Sequence, residues 1–348
     1  MKWSLLAVSV LSVVVLVAAV ASGQGPKKTT KSKSSRDTWA VLVCSSRYWF
    51  NYRHLTNTLS IYRTIKQLGV QDDHIILMNS LDSPCNSRNP FPGSQFSHPG
   101  ALDEASDLFG GADIEVDYQG EEARVESFLN VLTGRHYSDT PRSKRLESNA
   151  NSSVLIFLSG HGGDEFFKFH DSEELSAQDL GAAIRDMELK KRYREILLLA
   201  DTCQASTLAA HITSPRVTTI TSSSKGENSF AYHASPDLGV AAVDRFTLAT
   251  MQFFQKHVIA GQTHPVPLNR YVSSLDARFL YSTPSAQQSP DSRPLHRQDL
   301  RAFFGDGSGE ARIVQSSVEH VDEGVVDQDV DEDGTVETYH DFLKRRAS

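Results

Sequence analysis

Cysteine is scarce in this 348-residue sequence, which contains only Cys44, Cys85 and Cys203. A small secreted domain stabilised by disulfides carries a larger and even set of cysteines, so a disulfide framework is excluded. The odd number also leaves at least one thiol without a partner in the same chain. Cys44 ends a strongly apolar segment, as expected of a small buried residue. Cys85 lies in a polar loop and is the better candidate for a disulfide to another chain.

Basic residues are not in excess, and long apolar runs are missing after residue 21. The formal net charge of -8 gives no reason to expect a nucleic-acid partner, because phosphate backbones attract clustered lysines and arginines. No segment beyond the N-terminus approaches the roughly 20 apolar residues that a membrane-spanning helix requires. Membrane association is therefore expected only through the N-terminus or through partner proteins.

The N-terminus has the pattern of a secretory signal peptide. Met1 and Lys2 precede an apolar stretch over residues 3–21, and small residues follow it. The pattern predicts a signal peptide over residues 1–23, with a retained signal anchor as the alternative. Residues 24–37 are rich in Lys, Ser and Thr, which is typical of a flexible linker. We expect the mature protein to be soluble and lumenal.

Short apolar or β-branched runs alternate with segments of helical periodicity. Such runs suit strands buried on both faces of a mainly parallel sheet, and the alternation predicts an α/β fold with helices on both faces. The predicted strands are 39–44, 75–78, 154–159, 196–200 and 217–221, and the predicted helices are 54–68, 121–132, 176–190 and 240–255.

Two further features bound this domain. From residue 283 the chain turns polar and then strongly acidic, which predicts a loosely ordered tail over residues 283–348 behind a domain over residues 38–282. Asn151 begins the sequon Asn-Ser-Ser, an N-glycosylation signal that suits a lumenal surface but lies very near a predicted strand.

Two predicted strands stop abruptly at compact polar motifs. Ser-Gly-His161-Gly-Gly follows one strand, and Asp-Thr-Cys203-Gln follows the next. The carboxyl ends of parallel strands meet at one edge of a sheet, so the thiol and the imidazole are expected side by side. A nearby imidazole favours the thiolate and can protonate a leaving group, while the amide of Gly162 can stabilise an oxyanion. Each residue alone has a plainer interpretation, a buried cysteine or a turn histidine, but the pair favours nucleophilic catalysis.

These strand ends resemble those of the legumain and caspase type of cysteine peptidases. The longer motifs WAVLVCSSRYWFNYRH, DSPCNSRNP, TPRSKRL, SGHGGDEFFKFHDSEEL and LLADTCQAS are similar to one branch of that group, the catalytic subunits of GPI-anchor transamidases. Legumains instead typically carry Asp-His-Gly and Glu-Ala-Cys at these positions. The similarity runs from about Asp37 to Asp244, and it implies a caspase/legumain-like three-layer fold.

The resemblance implies a transamidation in the endoplasmic reticulum. Cys203 would attack the attachment-site carbonyl of a precursor protein, expel its C-terminal signal and leave a thioester, which the ethanolamine amine of a GPI anchor would resolve. His161 would serve as acid and base. Two alternatives stay open, namely a legumain-like lumenal endopeptidase, which uses water as acceptor, and a catalytically silent scaffold subunit.

The resemblance also implies roles for residues that the motifs alone leave undecided. Asn51 would orient the imidazole, although from the sequence alone a loop asparagine that satisfies the local backbone is favoured. The implied substrate-pocket residues are Arg53, His54, Ser222 and Ser223.

A structural calcium site is implied by the same resemblance. Its ligands would be Asp72, the backbone oxygen of Ile75, Glu115 and Asp117. Oxygen ligands suit calcium, and alternation on an extended chain places Glu115 and Asp117 on one face. From composition alone, a solvated acidic face is the simpler interpretation. No cofactor is implied for the chemistry itself.

Partner subunits are implied as well. Many members of the family end in a transmembrane helix, whereas this sequence ends in DFLKRRAS without one. Association with a membrane-bound transamidase complex would then supply localisation, and Cys85 matches a cysteine that the family can bond to a partner subunit. The further partners implied are precursor proteins and GPI lipid.

Overall fold

A seven-stranded sheet organises the residues that the computed structural model describes, which are 37–97, 107–110, 114–259 and 265–307. The predicted signal peptide, nearly all of the predicted linker and the acidic end of the predicted tail lie outside these residues.

The sheet consists of six parallel strands and one antiparallel edge strand. Its members are β1 (Thr38–Cys44), β2 (Ile75–Asn79), β3 (Tyr118–Gln119), β4 (Ser153–Ser159), β8 (Glu195–Asp201), β9 (Val217–Thr221) and β12 (Ser285–Gln288). They run in the order β12, β9, β8, β4, β1, β2, β3. The five predicted strands are all present. Two small sheets, β5 (Gly162–Gly163) with β6 (Phe166–Phe169) and β7 (Glu173–Ser176), and β10 (Ala234–Ser235) with β11 (Val240–Ala241), were not predicted.

Side chains alternate between the two faces of the sheet. In β1, Leu42 packs into one apolar core and its neighbours Val41 and Val43 pack into the other. All seven residues of β1 are buried, because an interior parallel strand is covered on both faces. This alternation produces three layers and confirms the predicted fold class.

The helices cover both faces of this sheet. They are α1 (Tyr52–Gln67), α2 (Val125–Thr133), α3 (Ala177–Leu189), α4 (Arg245–Phe254), α5 (Leu268–Ser274), α6 (Ala277–Leu280) and α7 (Arg301–Phe304). The second begins later than predicted because Gly120–Glu122 forms a separate 3-10 turn, and the fourth begins later because Val240 and Ala241 pair as a strand. Within the described ranges, no helix has both the length and the apolar character to cross a membrane.

The segment after residue 282 is packed rather than loose. Strand β12 extends the sheet by pairing with β9, and Phe303 and Phe304 in α7 are fully buried in the core. The predicted boundary at 282 is therefore wrong for the described part of the tail. The segment is mostly polar in composition, but these two aromatic side chains fix it to the core. Burial of one such ring contributes several times more to stability than one polar surface residue does.

Candidate active site

The register of β4 and β8 places the histidine and cysteine motifs at the same edge of the sheet. Ser159 lies opposite Asp201 in the last pair of these strands. His161 and Cys203 each follow two residues later, and both are partly exposed. The two turns also approach each other through the backbone, since the N–H of Gly160 donates to the carbonyl of Asp201 at 3.5 Å.

Close contact between the two turns requires glycine at position 162. A Cβ there would lie 2.6 Å from Oγ1 of Thr202 and 2.9 Å from the backbone oxygen of Phe166. Both distances are shorter than van der Waals contact, so a side chain would push the histidine turn away from the cysteine turn. Gly162 itself begins β5 and is half-buried.

A hydrogen bond from a neighbouring strand end orients the imidazole. Asn51 is fully buried, and its Oδ1 lies 2.8 Å from Nε2 of His161. The amide orientation is fixed because Nδ2 donates to the carbonyl of Arg47 at 2.5 Å. Oδ1 can only accept, so Nε2 carries the proton and Nδ1 keeps its lone pair. The tautomer is therefore the one in which Nδ1 can act as a base.

Burial favours the neutral form of both members of the pair. Burial lowers the pKa of His161, and the positive charge of Arg53 lowers it further. Burial raises the pKa of Cys203, although a hydrogen bond from the backbone of Ser229 opposes this shift. These shifts disagree with the expectation that the imidazole favours the thiolate. A neutral thiol with a neutral imidazole suits removal of the proton during attack rather than a preformed ion pair.

Two predicted pocket residues instead support the cysteine turn. Ser222 and Ser223 are completely buried, and their hydroxyls donate to the carbonyl of Thr202 at 3.0 and 2.8 Å. The Ser222 oxygen also accepts from the N–H of Thr202 at 3.2 Å. Neither hydroxyl is accessible to a substrate, so the predicted substrate contact of Ser222 and Ser223 is wrong. Their role is to position the cysteine turn.

His54 is likewise too deep to contact a substrate directly. It is 2% exposed, its Nδ1 lies 2.8 Å from Oγ of Ser46, and its ring packs edge-on against His161 with centroids 5.0 Å apart. Burial and the neighbouring Arg53 hold the pKa of His54 well below its usual range. His54 is therefore a neutral support of the catalytic imidazole. Arg53, by contrast, keeps part of its side chain exposed.

A buried polar network under the site was missed at the sequence level. Asp244 accepts from Arg53 at 3.0 Å and from Asn57 at 2.6 Å, and Asn57 also donates to Oγ of Ser159. It thereby links α1, β4 and the start of α4. The available signal was a polar Asn57 on the buried face of α1, one turn after Arg53.

The carboxyl group of Asp201 lies beneath the nucleophile. Burial raises the pKa of Asp201 to about 7, and the charge of Asp244 adds to the shift. Its oxygens accept from Ser229 at 2.7 Å and from the Thr247 hydroxyl at 2.7 Å. These bonds hold the last residue of β8 in place, two residues before Cys203.

Two of the implied calcium ligands, Asp72 and Asp117, are already engaged by protein groups. The Tyr62 hydroxyl donates to Asp72 at 2.5 Å, and Lys66 forms an ion pair with the same carboxylate. Asp117 is buried, accepts from the N–H of Leu77 at 2.9 Å, and has a pKa raised to about 7 by burial, with the Glu115 and Asp72 charges adding to it. Among the residues described, no group of three or more His, Cys, Asp or Glu is arranged to hold a metal ion.

The remaining predicted sites lie on the surface. Cys85 is exposed and free, and the nearby Asp82 raises its pKa. Asn151 is exposed in the turn before β4, although the two serines that complete its sequon are buried. Cys44, in contrast, is fully buried with a pKa raised to about 12, as expected of a packing residue.

A cavity of about 460 Å³ lies at the opposite edge of the sheet. Its lining includes Arg194, Arg216 and Arg293, whose charges are compensated by Glu188 and Glu195. Because it adjoins the first residues of β8 and β9, it is separated from the catalytic edge by the length of the strands.

The sequence of this chain is similar to those of known proteins. The profile of the peptidase C13 family matches residues 38–266. The GPI-anchor transamidase of Schizosaccharomyces pombe is 46% identical over 263 residues, which cover 74% of this chain and 68% of that relative. The GPI-anchor transamidase of Mus musculus is 41% identical over 303 residues, covering 86% and 74%, and that of Saccharomyces cerevisiae is 48% identical over 223 residues, covering 64% and 53%.

Proposed function

The chain belongs to the peptidase C13 family, and we propose that this peptidase-like enzyme is the catalytic subunit of a GPI-anchor transamidase. The names of relatives at 40–48% identity support the reaction class. The single observation that carries the proposal is the shared strand edge, at which His161, oriented by Asn51, follows β4 and Cys203 follows β8.

In the first half-reaction, the sulfur of Cys203 attacks the carbonyl carbon of the attachment-site residue. Nδ1 of His161 accepts the thiol proton as the C–S bond forms. The developing oxyanion lies near the backbone amide of Gly162, which we propose as its donor. When the C–N bond breaks, the imidazolium gives its proton to the departing amine, and a thioester remains.

In the second half-reaction, an amine replaces water as the nucleophile. The ethanolamine nitrogen of the anchor attacks the thioester carbon, and Nδ1 of His161 accepts its proton. A new C–N bond forms, the C–S bond breaks, and the thiolate recovers the proton. Peptide hydrolysis, the alternative that the peptidase C13 family description keeps open, follows the same steps with water in place of the amine.

An external amine distinguishes transfer to an amine from hydrolysis by water. Membranes that contain the chain are given a precursor protein together with hydrazine, which competes for the thioester. We expect a precursor hydrazide to form with the wild-type chain and to be lost with Cys203→Ala and His161→Ala. Exclusive release of the free carboxylic acid would contradict the transamidase and favour the endopeptidase.

Complementation of cells that lack their transamidase catalytic subunit tests the role in vivo. Wild type and Tyr137→Ala are expected to restore anchored surface proteins, whereas Cys203→Ala is expected to fail. Tyr137→Ala is the control, because that side chain is 81% exposed and belongs to none of the sites described above. Full rescue by Cys203→Ala would instead indicate a scaffold without catalysis.

We further propose that the chain works in the endoplasmic reticulum as part of a membrane-bound complex. The exposed thiol of Cys85 supports a disulfide to a partner subunit. Non-reducing electrophoresis is expected to show a heavier adduct that disappears with Cys85→Ser. Unchanged mobility of wild type and variant would contradict the bond.

A structural calcium ion at Asp72, Glu115, Asp117 and the carbonyl oxygen of Ile75 is also a proposal. Asp72 and the backbone N–H of Glu115 both meet the Tyr62 hydroxyl, and the charges of Glu115 and Asp72 raise the pKa of Asp117, which supports the proposal although the carboxylates are not arranged around a metal position. The ion would displace Lys66 from Asp72 and join the start of β2 to the segment before β3. Calcium is expected to raise the unfolding temperature of the wild type and not that of Asp117→Asn; an equal response of both would contradict the site.

A further inference from the structure

Two exposed aromatic side chains closely precede Asn51 at the catalytic edge. Tyr48 and Phe50 are each 57% exposed, and their rings stack with centroids 5.9 Å apart and an angle of 16° between their planes. Among the described residues only five large apolar side chains are more than half exposed, and the other three are Tyr137, Leu189 and Tyr281, which lie far apart in the sequence. Two adjacent ones beside the residue that orients His161 therefore require an explanation.

We propose that Tyr48 and Phe50 form the binding surface for the part of the precursor that leaves, the peptide immediately C-terminal to the scissile bond. This inference rests on the proposed function, and it assigns the leaving peptide of that reaction to a surface of this chain. The occupant is an extended peptide whose backbone planes and apolar side chains pack on the exposed ring faces.

The segment that carries the rings is held rigidly. Trp49, which lies between them, is buried, donates its indole N–H to the carbonyl of Leu238 at 3.2 Å and packs edge-on against Tyr52. Asn51 is buried on the other side of Phe50. With positions 49 and 51 directed inward, positions 48 and 50 are directed outward, so the exposure of both rings is built into the fold.

Backbone strain at Tyr48 also supports a function for the exposed rings. Its φ of 72° and ψ of 150° belong to a region that bulky residues rarely adopt and that glycine occupies easily. Glycine or a small polar residue would meet the demands of this turn at lower conformational cost. Because this backbone does not favour a tyrosine, the demands of the turn do not explain the ring at this position.

The order of the strands indicates on which side of the catalytic pair the leaving peptide lies. Across the sheet, Cys203 follows β8, His161 follows β4, and the segment with Tyr48 and Phe50 follows β1. The imidazole therefore lies between the nucleophile and the aromatic pair. The acyl part of the substrate stays bonded to the sulfur, and the departing amine takes its proton from His161. The chain attached to that amine consequently extends toward β1, where the two rings are.

A pair of substrates separates binding of the leaving peptide from catalysis. Both carry the same peptide up to the attachment site; one continues through the following precursor residues, and the other ends there as a methyl ester. Hydrazine serves as acceptor in each assay, and the enzyme is the full-length chain purified with its co-purifying subunits. The variants are Tyr48→Ala with Phe50→Ala, the conservative pair Tyr48→Phe with Phe50→Tyr, and Tyr137→Ala.

The alanine pair is expected to lose about tenfold in kcat/KM on the continuing peptide, mainly through KM, as when two ring faces lose an apolar contact. The methyl ester should be converted at the wild-type rate, because methanol reaches neither ring. The conservative pair should retain activity on both substrates. Tyr137→Ala, which removes a ring that is 81% exposed in the segment after α2, should be unchanged on both.

Three results would overturn the inference. Equal losses on peptide and ester would mean that the rings support Asn51 rather than the leaving peptide, and no loss on either would remove their role. Loss of co-purifying subunits from the alanine pair would identify the surface as a subunit contact. Failure of the wild type on both substrates would instead refute the proposed function, so the two failures are distinguishable.

Discussion

Asn51 and His161 are separated by 110 positions in the chain, yet Oδ1 and Nε2 lie 2.8 Å apart. Since Asn51 follows β1 and His161 follows β4, the bond joins two adjacent strand ends. The amide cannot take up a proton, so it fixes the tautomer of the imidazole without adding charge. Because the amide of Asn51 carries no charge, it does not oppose burial and the charge of Arg53, which lower the pKa of His161.

Replacement of Asn51 by aspartate tests this arrangement. A carboxylate at 51 stabilises the imidazolium, so the pKa of His161 should rise and the acidic limb of the kcat/KM profile should move to higher pH. Asn51→Ala should lower kcat by about 10- to 100-fold, because the imidazole loses its orientation. A pH profile of the hydrazine-dependent reaction measures the shift of the acidic limb in Asn51→Asp and the loss of kcat in Asn51→Ala. An acidic limb that stays in place in Asn51→Asp would argue against direct contact.

The neutral resting pair predicts how Cys203 reacts with alkylating agents. Because burial raises the pKa of the thiol, the rate of inactivation by iodoacetamide should keep rising with pH through pH 8, as the thiolate fraction grows. His161→Ala should leave the slope of this dependence nearly unchanged. Activity loss after timed alkylation gives the rate. A rate that levels off below pH 6 would instead indicate a preformed ion pair.

The buried carboxyl group of Asp201 should make stability depend on pH. Between its ordinary value of 3.8 and its folded-state pKa of about 7, the folded chain holds a proton that the unfolded chain has released. The folded state binds more protons in this window, so the free energy of unfolding should fall as pH rises through it. Asp201→Asn should reduce that fall, mainly above pH 7, whereas the part contributed by Asp117, whose pKa is also raised to about 7, should remain. Urea unfolding of both chains at several pH values measures the slope, and parallel curves would contradict the shift.

The contact between Gly162 and Thr202 should behave as a steric pair. Gly162→Ala is expected to cost about 1–3 kcal/mol of stability by overpacking, because the added Cβ would lie 2.6 Å from Oγ1 of Thr202. Oγ1 of Thr202 is buried without a hydrogen-bond partner. Thr202→Ala should therefore lower the free energy of unfolding by less than removal of a hydrogen-bonded hydroxyl would.

The double variant completes this test. Combining Gly162→Ala with Thr202→Ala should recover part of the loss, although the contact with the Phe166 backbone remains. Urea unfolding of the four chains gives the coupling free energy. Strict additivity of the two single variants would show that the turns do not meet as described.

The strands and the catalytic pair were accessible from the sequence for a physical reason. An interior parallel strand is a short, continuous apolar run, and its abrupt end marks the functional edge of the sheet. Val154–Ser159 and Ile196–Ala200 both have this form, so His161 and Cys203 could be placed together before the fold was known. Strand β12 could not, because a polar edge strand that pairs on one side has no apolar signature.

The supporting network was hidden because it depends on long-range contacts. Asn57 and Asp244 are separated by 187 positions and meet only when α1 packs beside α4. The predicted roles of Ser222 and Ser223 erred similarly, since a polar strand end does not reveal whether its hydroxyls are directed outward or toward the neighbouring turn. The neutral state of the catalytic pair follows from burial, which the sequence alone does not quantify.

The packing of α7 under the first strand has a consequence for biosynthesis. The Thr38 hydroxyl donates to the carbonyl of Ala302, 264 positions later. At the roughly 5–20 residues per second of translation, the ribosome delivers Ala302 on the order of tens of seconds after Thr38. Throughout that interval β1 lacks part of its final cover, so apolar surface of the nascent domain stays exposed until α7 has been synthesised.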